Sequence, residues 1–416
     1  MKKAVVMVLL AGTLVSSFAT DARVISMGRH DDFFMDEVSI FRNPSNINLY
    51  PNMVYGSFGM YRSVPQDTLS RQNRDPVDPF FGGIVSYSIK RDSANSNQYP
   101  MFSVGAVFNR HDEMLDYITP GSDKYFGNPT DSFVSPIGKI DLLLGYVLKN
   151  GGMIGLGGYF AFQSLVKSVP GQSDPLPSER YETSCYKATG GINWPVAKST
   201  NLEVSLSAGI LRAMGDSAYN ADPRHRIKRI NANNDWFARG DIRFFSALPM
   251  LNGDFVPHLG IQEVRLHGDS ISLFDLAGGI GLNLRIDKGF FWTGIEALYK
   301  GCSYFYDSTR AGIGGRVSFG IERSIWWDWF VIRVGGMKTL MYASADSSGV
   351  TRNWWDENSP SDGSDNDLVA LGFGVNVENR LRVDFVVAED MPYTFTNLIS
   401  GSAHHLFTRI SATYSF

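Results

Sequence analysis

The chain has 416 residues, enough for one large barrel or for two or three smaller globular domains. Its 38 basic and 42 acidic side chains leave a net charge of −4, so no bulk positive field points to a nucleic-acid partner. Two cysteines, Cys185 and Cys302, are too few for a disulfide framework; two unpaired thiols are expected, with one bridge between them as the alternative.

At the N-terminus, Lys2 and Lys3 precede an apolar run from Ala4 to Val15, and Ser17-Phe18-Ala19 follows as a small-x-small cleavage pattern. This spacing predicts a secretory signal peptide over residues 1–19, because the run is shorter than the ~20 residues a spanning helix needs. Residues 20–51 carry no strand pattern. They contain Met27-Gly28, the acidic pair Asp31-Asp32 and the turn signal Asn43-Pro44. Two readings stand for them: a surface arm, or a plug inside a barrel formed by residues 52–416.

From Met53 onward, apolar and polar residues alternate in segments separated by turns, the period-2 pattern of strands with one apolar face. Sixteen strands are expected, over 53–61, 81–90, 100–109, 137–149, 152–163, 185–194, 201–211, 236–247, 254–265, 272–286, 290–300, 311–321, 327–341, 368–378, 381–389 and 405–416. The segments 81–90 and 254–265 carry the weakest pattern. Tight turns at Asn150-Gly151, Asp287–Gly289 and Asn379-Arg380 alternate with long connections such as 110–136, 213–235 and 342–367; only 266–271 breaks the alternation. Short turns at one end and long loops at the other are how an all-β transmembrane antiparallel barrel is built. The near-zero mean hydropathy of −0.11 is compatible with this, since only alternate residues face lipid.

The faces predict the lumen. Ile242 and Phe244 oppose Arg239, Asp241 and Arg243; Ile313, Val317 and Phe319 oppose Arg316 and Ser318. A lipid-facing Arg or Lys near the midplane costs ~2–4 kcal/mol, so these charges are expected inside, with Glu203, Asp275, Arg285, Glu296, Arg382, Asp384 and Arg409. Their mixed signs suit pairing with a polar plug better than a one-sign ion filter. No nucleophile elbow or zinc-protease pair occurs, and the glycine runs 278–281 and 312–315 lie inside strand patterns. No catalytic residue, cofactor or resident metal is expected. A basic run, Pro223–Arg229, could meet lipopolysaccharide phosphates, and the carboxylates Asp356, Glu357, Asp362, Asp365 and Asp367 could meet Ca²⁺; a solvated loop is the simpler reading of the basic run. His404 and His405 point to opposite faces.

The chain ends on an alternating strand whose Tyr414 and Phe416 share the apolar face. This resembles the C-terminal signature of bacterial outer-membrane barrels, which implies recognition by the outer-membrane assembly machinery. A second resemblance rests on Ala22, Arg23, Met27, Gly28, Asn43, Pro44 and Ile47, together with Leu381–Phe385 and His405–Ser411. These residues resemble the two ends of FadL-type fatty-acid transporters and the related PorV-like outer-membrane proteins. The chain departs from that family at Arg29-His30-Asp31-Asp32, where a glycine-rich run is usual. The resemblance implies fourteen strands, placement in a Gram-negative outer membrane, and a plug in which Arg23, Met27, Gly28, Arg42, Asn43 and Pro44 take part. Three functions follow as expectations: a channel for hydrophobic small molecules, a component of a protein-secretion system, or a structural barrel that binds outer-membrane lipid and lipopolysaccharide.

Overall fold

The computed structural model describes residues 21–28, 30–59, 62–63, 74–75, 79–88, 102–118, 136–167, 179–197, 199–216, 230–231, 235–266, 271–304, 308–347, 350–356, 368–378, 380–388 and 409–416. The expected signal peptide, the basic run 223–229, the acidic residues 357–367 and His404-His405 lie outside them.

Sixteen antiparallel strands close into a barrel. In order they are β1 Met53–Gly59, β2 Phe80–Tyr87, β3 Phe102–Phe108, β4 Gly138–Val147, β5 Met153–Lys167, β6 Glu179–Ala197, β7 Thr200–Asp216, β8 Asp235–Leu248, β9 Gly253–Leu266, β10 Ile271–Ile286, β11 Gly289–Tyr304, β12 Ser308–Ser324, β13 Phe330–Ser347, β14 Leu368–Val377, β15 Leu381–Ala388 and β16 Arg409–Ser415. Each pairs with its neighbour. The ring is sealed by β1, which pairs with β2 on one side and with β16 on the other, from Met53 opposite Ser415 to Gly59 opposite Arg409. Closure leaves no unpaired sheet edge, the condition hydrocarbon imposes on a spanning sheet. The count of sixteen replaces the fourteen implied by resemblance, and both weakly patterned segments are strands. Strand β13 begins at Phe330 rather than 327, because Trp326 adopts a left-handed φ of 62° and the chain turns there.

The outer face is apolar along the whole ring. Leu156, Leu206, Ile313 and Phe81 are more than 60% exposed to the barrel's surroundings, in the middle or near the start of their strands. A belt of that extent is covered by lipid tails, not water. Among the described residues no helix is long and apolar enough to cross a membrane. At the short-turn end, Trp194, Trp326, Trp327, Trp329, Tyr414 and Phe416 form an aromatic fringe, with Trp327 and Trp329 stacked 5.2 Å apart. Amphipathic rings at that level mark a membrane–water boundary. Apart from short ribbons, Arg62–Ser63 against Arg74–Asp75, Ile230–Asn231 beside β7 and Val350–Asp356 beside β13, the other described elements lie between Asp21 and Leu49, between Glu113 and Tyr117, and at the Pro249–Leu251 turn.

Candidate functional site

Residues 21–50 form a helix, α1 (Asp21–Ser26), and two 3-10 turns, Glu37–Phe41 and Pro44–Leu49. Each turn has a cap written in the sequence. The Asp36 carboxylate accepts from Val38 N at 3.2 Å, and the Asn43 side chain accepts from Ser45 N at 3.1 Å, with Pro44 at the first position where no N–H is needed. Neither turn is long enough to stand alone. They hold because the segment lies against the inner faces of strands around the barrel, near its short-turn end.

The wall makes room for it with glycine facing glycine across neighbouring strands. Gly145 and Gly155, then Gly155 and Gly191, sit opposite each other on β4, β5 and β6, and Ile47, Pro44 and Asn43 lie over them. Gly281 opposes Gly294 on β10 and β11 beneath the Phe33 ring, and Gly320 opposes Gly335 on β12 and β13 beneath Met27. A side-chain carbon at Gly155 would overlap the Pro44–Ser45 peptide, and one at Gly335 would overlap Met27. Gly28 is fixed twice over: its φ is +102°, and a Cβ there would stand 3.0 Å from the Phe319 carbonyl oxygen. Met27, Phe33, Phe34, Ile40 and Ile47 are at most 1% exposed, and Phe34 packs on Trp292 with centroids 5.3 Å apart. Each buried apolar side chain contributes about 1.5–3 kcal/mol, so this packing is the main attraction holding the segment.

Polar contacts set its register. Arg23 pairs with Asp36 at 3.0 Å and with Glu322 at 2.8 Å, and Glu322 also receives Arg333 at 2.6 Å and Arg382 at 2.9 Å. Asp384 balances the last two, at 2.8 Å from Arg333 and 3.0 Å from Arg382. Three guanidinium groups thus meet three carboxylates. A second chain runs from Asn46 through Asn193 and Glu203 to Arg243, whose Nη1 donates to the Asp31 carbonyl at 2.7 Å. Arg42 pairs with Asp31 and Asp32, Arg316 reaches Asp32 and Glu296, Arg239 pairs with Asp241 at 2.9 Å, and Arg409 grips Asp21. Buried pairs of this kind roughly break even on desolvation, whereas removing one partner costs ~3–5 kcal/mol. They specify one seat more than they stabilise it.

A second piece of chain enters from the long-loop end. After β3, Arg110 forks onto Asp141 with two bonds of 2.8 Å, and Asp112 pairs with Arg110 and Lys187 and caps the 3-10 turn Glu113–Tyr117. Against the effect of burial, the Lys187 and Arg110 cations hold the Asp112 carboxyl well below the usual range. Met114, Leu115 and Ile118 then bury themselves among inward residues of β5 to β11, including Tyr159, Leu211, Phe237 and Leu273. Both cysteines belong to this cluster, are buried and form no disulfide with each other. The Arg110 guanidinium also lies 4.1 Å over the Phe41 ring, which links the two inward pieces.

On the other side of the wall, an apolar groove of about 600 Å³ runs across the outer face of β3 to β7. Phe102, Leu144, Leu156, Ile192 and Leu206 flank it, and Gly145, Gly155, Gly190 and Gly191 form its floor. Three of those glycines are the ones that seat Ile47, Pro44 and Asn43 inside.

The residues singled out from sequence are largely brought together. Arg23, Met27, Gly28, Arg42, Asn43 and Pro44 all line the seat, and Arg243, Arg316, Arg382, Asp384 and Arg409 contact the segment or its partners, while Arg239 and Asp241 form a neighbouring pair. Tyr414 and Phe416 point outward, away from it. Sequence reasoning missed Glu322, which lies one residue beyond an expected strand end, and Arg333, His258 and the inward turn 113–117. For the turn a signal was available, since Met114, Leu115 and Ile118 share one face at helical spacing.

Two expectations follow. Gly155→Val forces the Pro44–Ser45 peptide off the wall at a cost of about 1–3 kcal/mol, so limited proteolysis cuts residues 21–50 faster while unboiled gel migration still reports a closed barrel. Glu37 is buried with neither oxygen hydrogen-bonded, and burial, aided by the Asp36 charge, pushes its carboxyl well above the usual range. The folded pKa is therefore raised over the unfolded one. Its contribution is fully present below the unfolded value, about 4.3, and is lost as pH rises through the folded value. Protection of the segment from hydrogen exchange should weaken as pH rises through that window, and Glu37→Gln should remove that dependence.

No protein-family model matches the chain, and no curated protein sequence does. Solved structures do, at low identity. The chain is similar to the TodX monoaromatic hydrocarbon channel, a deltaS2 mutant of the P. putida toluene transporter, at 11% identity and a TM-score of 0.39, covering 95% of this chain and 98% of that one. A Pseudomonas aeruginosa FadL homologue matches at 11% identity and a TM-score of 0.36 over 95% of this chain and 98% of that one. The FrpB iron transporter from Neisseria meningitidis matches at 8% identity and a TM-score of 0.34 over 82% and 70%.

Proposed function

We propose that this barrel sits in a Gram-negative outer membrane and passes hydrophobic small molecules, with residues 21–50 as a plug that gates it. The observation that carries this reading is the shared glycine floor. The apolar groove on the lipid side and the Asn43–Pro44–Ile47 seat on the lumen side are two faces of one stretch of wall without side chains at Gly145, Gly155 and Gly191. An apolar solute in the bilayer is offered a matching surface there, and among the described residues the floor is backed by the Asn43–Pro44–Ile47 stretch of the segment. The mixed-sign, mutually paired lumen charges suit a polar plug better than a one-sign ion filter.

Removing residues 21–50 tests the gate. Strand pairing and the lipid-facing belt do not involve the segment, so the truncated chain still folds. In planar bilayers it should conduct ions steadily, whereas the intact chain should be nearly silent; equal conductance of the two would remove the gating role of Asn43 and Pro44.

We further propose that the terminal aromatic strand is read during assembly. The Phe416 amide donates to the Asn52 carbonyl at 3.0 Å, a bond that survives side-chain replacement, while its ring points outward. Phe416→Asp should therefore lower the amount of assembled barrel without weakening barrel already formed. Normal surface levels of that variant would defeat the proposal.

A further inference from the structure

Between the two inward pieces of chain lies a group of polar side chains that the packing leaves unfinished. Asp32 of the N-terminal segment, His258 of β9 and Glu296 of β11 each bring one donor atom to within 4.8 Å of the other two. His258 is 7% exposed and Glu296 2%, yet the contacts are longer than ordinary hydrogen bonds: His258 Nδ1 is 3.5 Å from Glu296 Oε1, and Nε2 is 3.7 Å from Asp241 Oδ1. Leaving each such atom unsatisfied costs about 1–3 kcal/mol, and native proteins rarely leave three together. The wall is also thinned around them: a Cβ at Gly279 would overlap Glu296, and one at Gly260 would press on His258 at 3.4 Å.

We propose that Asp32, His258 and Glu296 form a site for a divalent first-row transition-metal cation of the Zn²⁺ type, which clips the N-terminal segment to the barrel wall. His258 Nδ1 stands 3.5 Å from Glu296 Oε1. Two donors bound at roughly 2.1 Å to one tetrahedral ion lie roughly 3.4 Å apart, so this pair is spaced for a shared ion and not for a direct bond. An imidazole beside two carboxylates selects Zn²⁺-type ions over Mg²⁺ or Ca²⁺, which favour all-oxygen shells. The outer shell is in place. Arg316 donates to Glu296 Oε2 at 2.7 Å and to Asp32 Oδ2 at 3.3 Å, and Arg42 holds Asp32 Oδ1, which orients both carboxylates and leaves Glu296 Oε1 open. Asp31, Asp32, Asp241 and Glu296 outnumber Arg42, Arg239 and Arg316 around the site, so there is charge for a cation to meet. Phe33, edge-on to the imidazole with centroids 6.2 Å apart, covers one side.

The site goes beyond the channel reading and does not depend on it, because its test involves no transport. Full-length barrel, purified in detergent and stripped of metal, is titrated with Zn²⁺ alone by calorimetry, and the loaded protein is studied by X-ray absorption at the zinc edge. One ion per chain is expected, with one imidazole in its shell. His258→Ala and Glu296→Gln should each weaken binding about tenfold or more, while His30→Ala, which removes a neighbour of Asp32 and Arg316 that is not one of the three ligands, should weaken it far less. Unboiled gel migration verifies that each variant is closed. Zn²⁺ should also slow proteolysis of residues 21–50 in the wild type and have no such effect on His258→Ala. Absence of uptake by the wild type, uptake unchanged in both ligand variants, or a zinc shell lacking imidazole would overturn the site; in the first case a protonated imidazole or a water fills the gap instead.

Discussion

The architecture depends on glycine facing glycine across adjacent strands. A sixteen-strand ring is too wide to be filled by its own inward side chains, and a chain segment fits against its wall only where that wall is bare backbone. At Gly145–Gly155–Gly191, Gly281–Gly294 and Gly320–Gly335 the bare positions face one another, so the first notch is three strands wide, the others two, and each accepts a whole side chain or peptide. Met27, Phe33 and the Asn43–Pro44 turn are spaced along the segment to fill them. The ion pairs come second. They cannot pull charges out of water at a profit, but once packing has brought the segment in, they accept only one alignment.

Much of the ring was legible in the sequence because a bilayer enforces the period-2 pattern on every strand it touches. All sixteen expected segments are strands. Their ends were less legible. Strand β6 runs from Glu179 to Ala197 where 185–194 was expected, and β13 continues to Ser347 rather than 341. Beyond the lipid band both faces of a hairpin are free to be polar, so alternation fades although hydrogen bonding continues. Segment 254–265 reads weakly because Pro257 interrupts its pattern, yet the pairing with β10 runs straight through it.

The site was legible in its charges and not in its partners. Arg23, Asp31, Asp32 and Arg42 stand out in a segment without strand character, and alternation places Arg243, Arg316, Arg382 and Asp384 inside. Nothing in a linear pattern says that Glu322 collects three guanidinium groups, or that His258 and Glu296 approach Asp32 from strands that are not adjacent. Those meetings are made by barrel curvature and by the path of residues 21–50 across the lumen.

The seam between β1 and β16 has a consequence in time. Strand β1 follows the N-terminal segment directly, yet its partner β16 is the sixteenth strand of the ring, and the residues that grip the segment or its partners include Arg382 and Asp384 on β15 and Arg409 on β16. The first part of the chain therefore waits for the last before its seat exists. Through most of synthesis and insertion, the apolar stripe of Met27, Phe33, Phe34 and Ile47 has nothing complete to lie against. Pairing at the greatest possible sequence separation is slow to nucleate. The segment is thus ready in sequence long before its surroundings are.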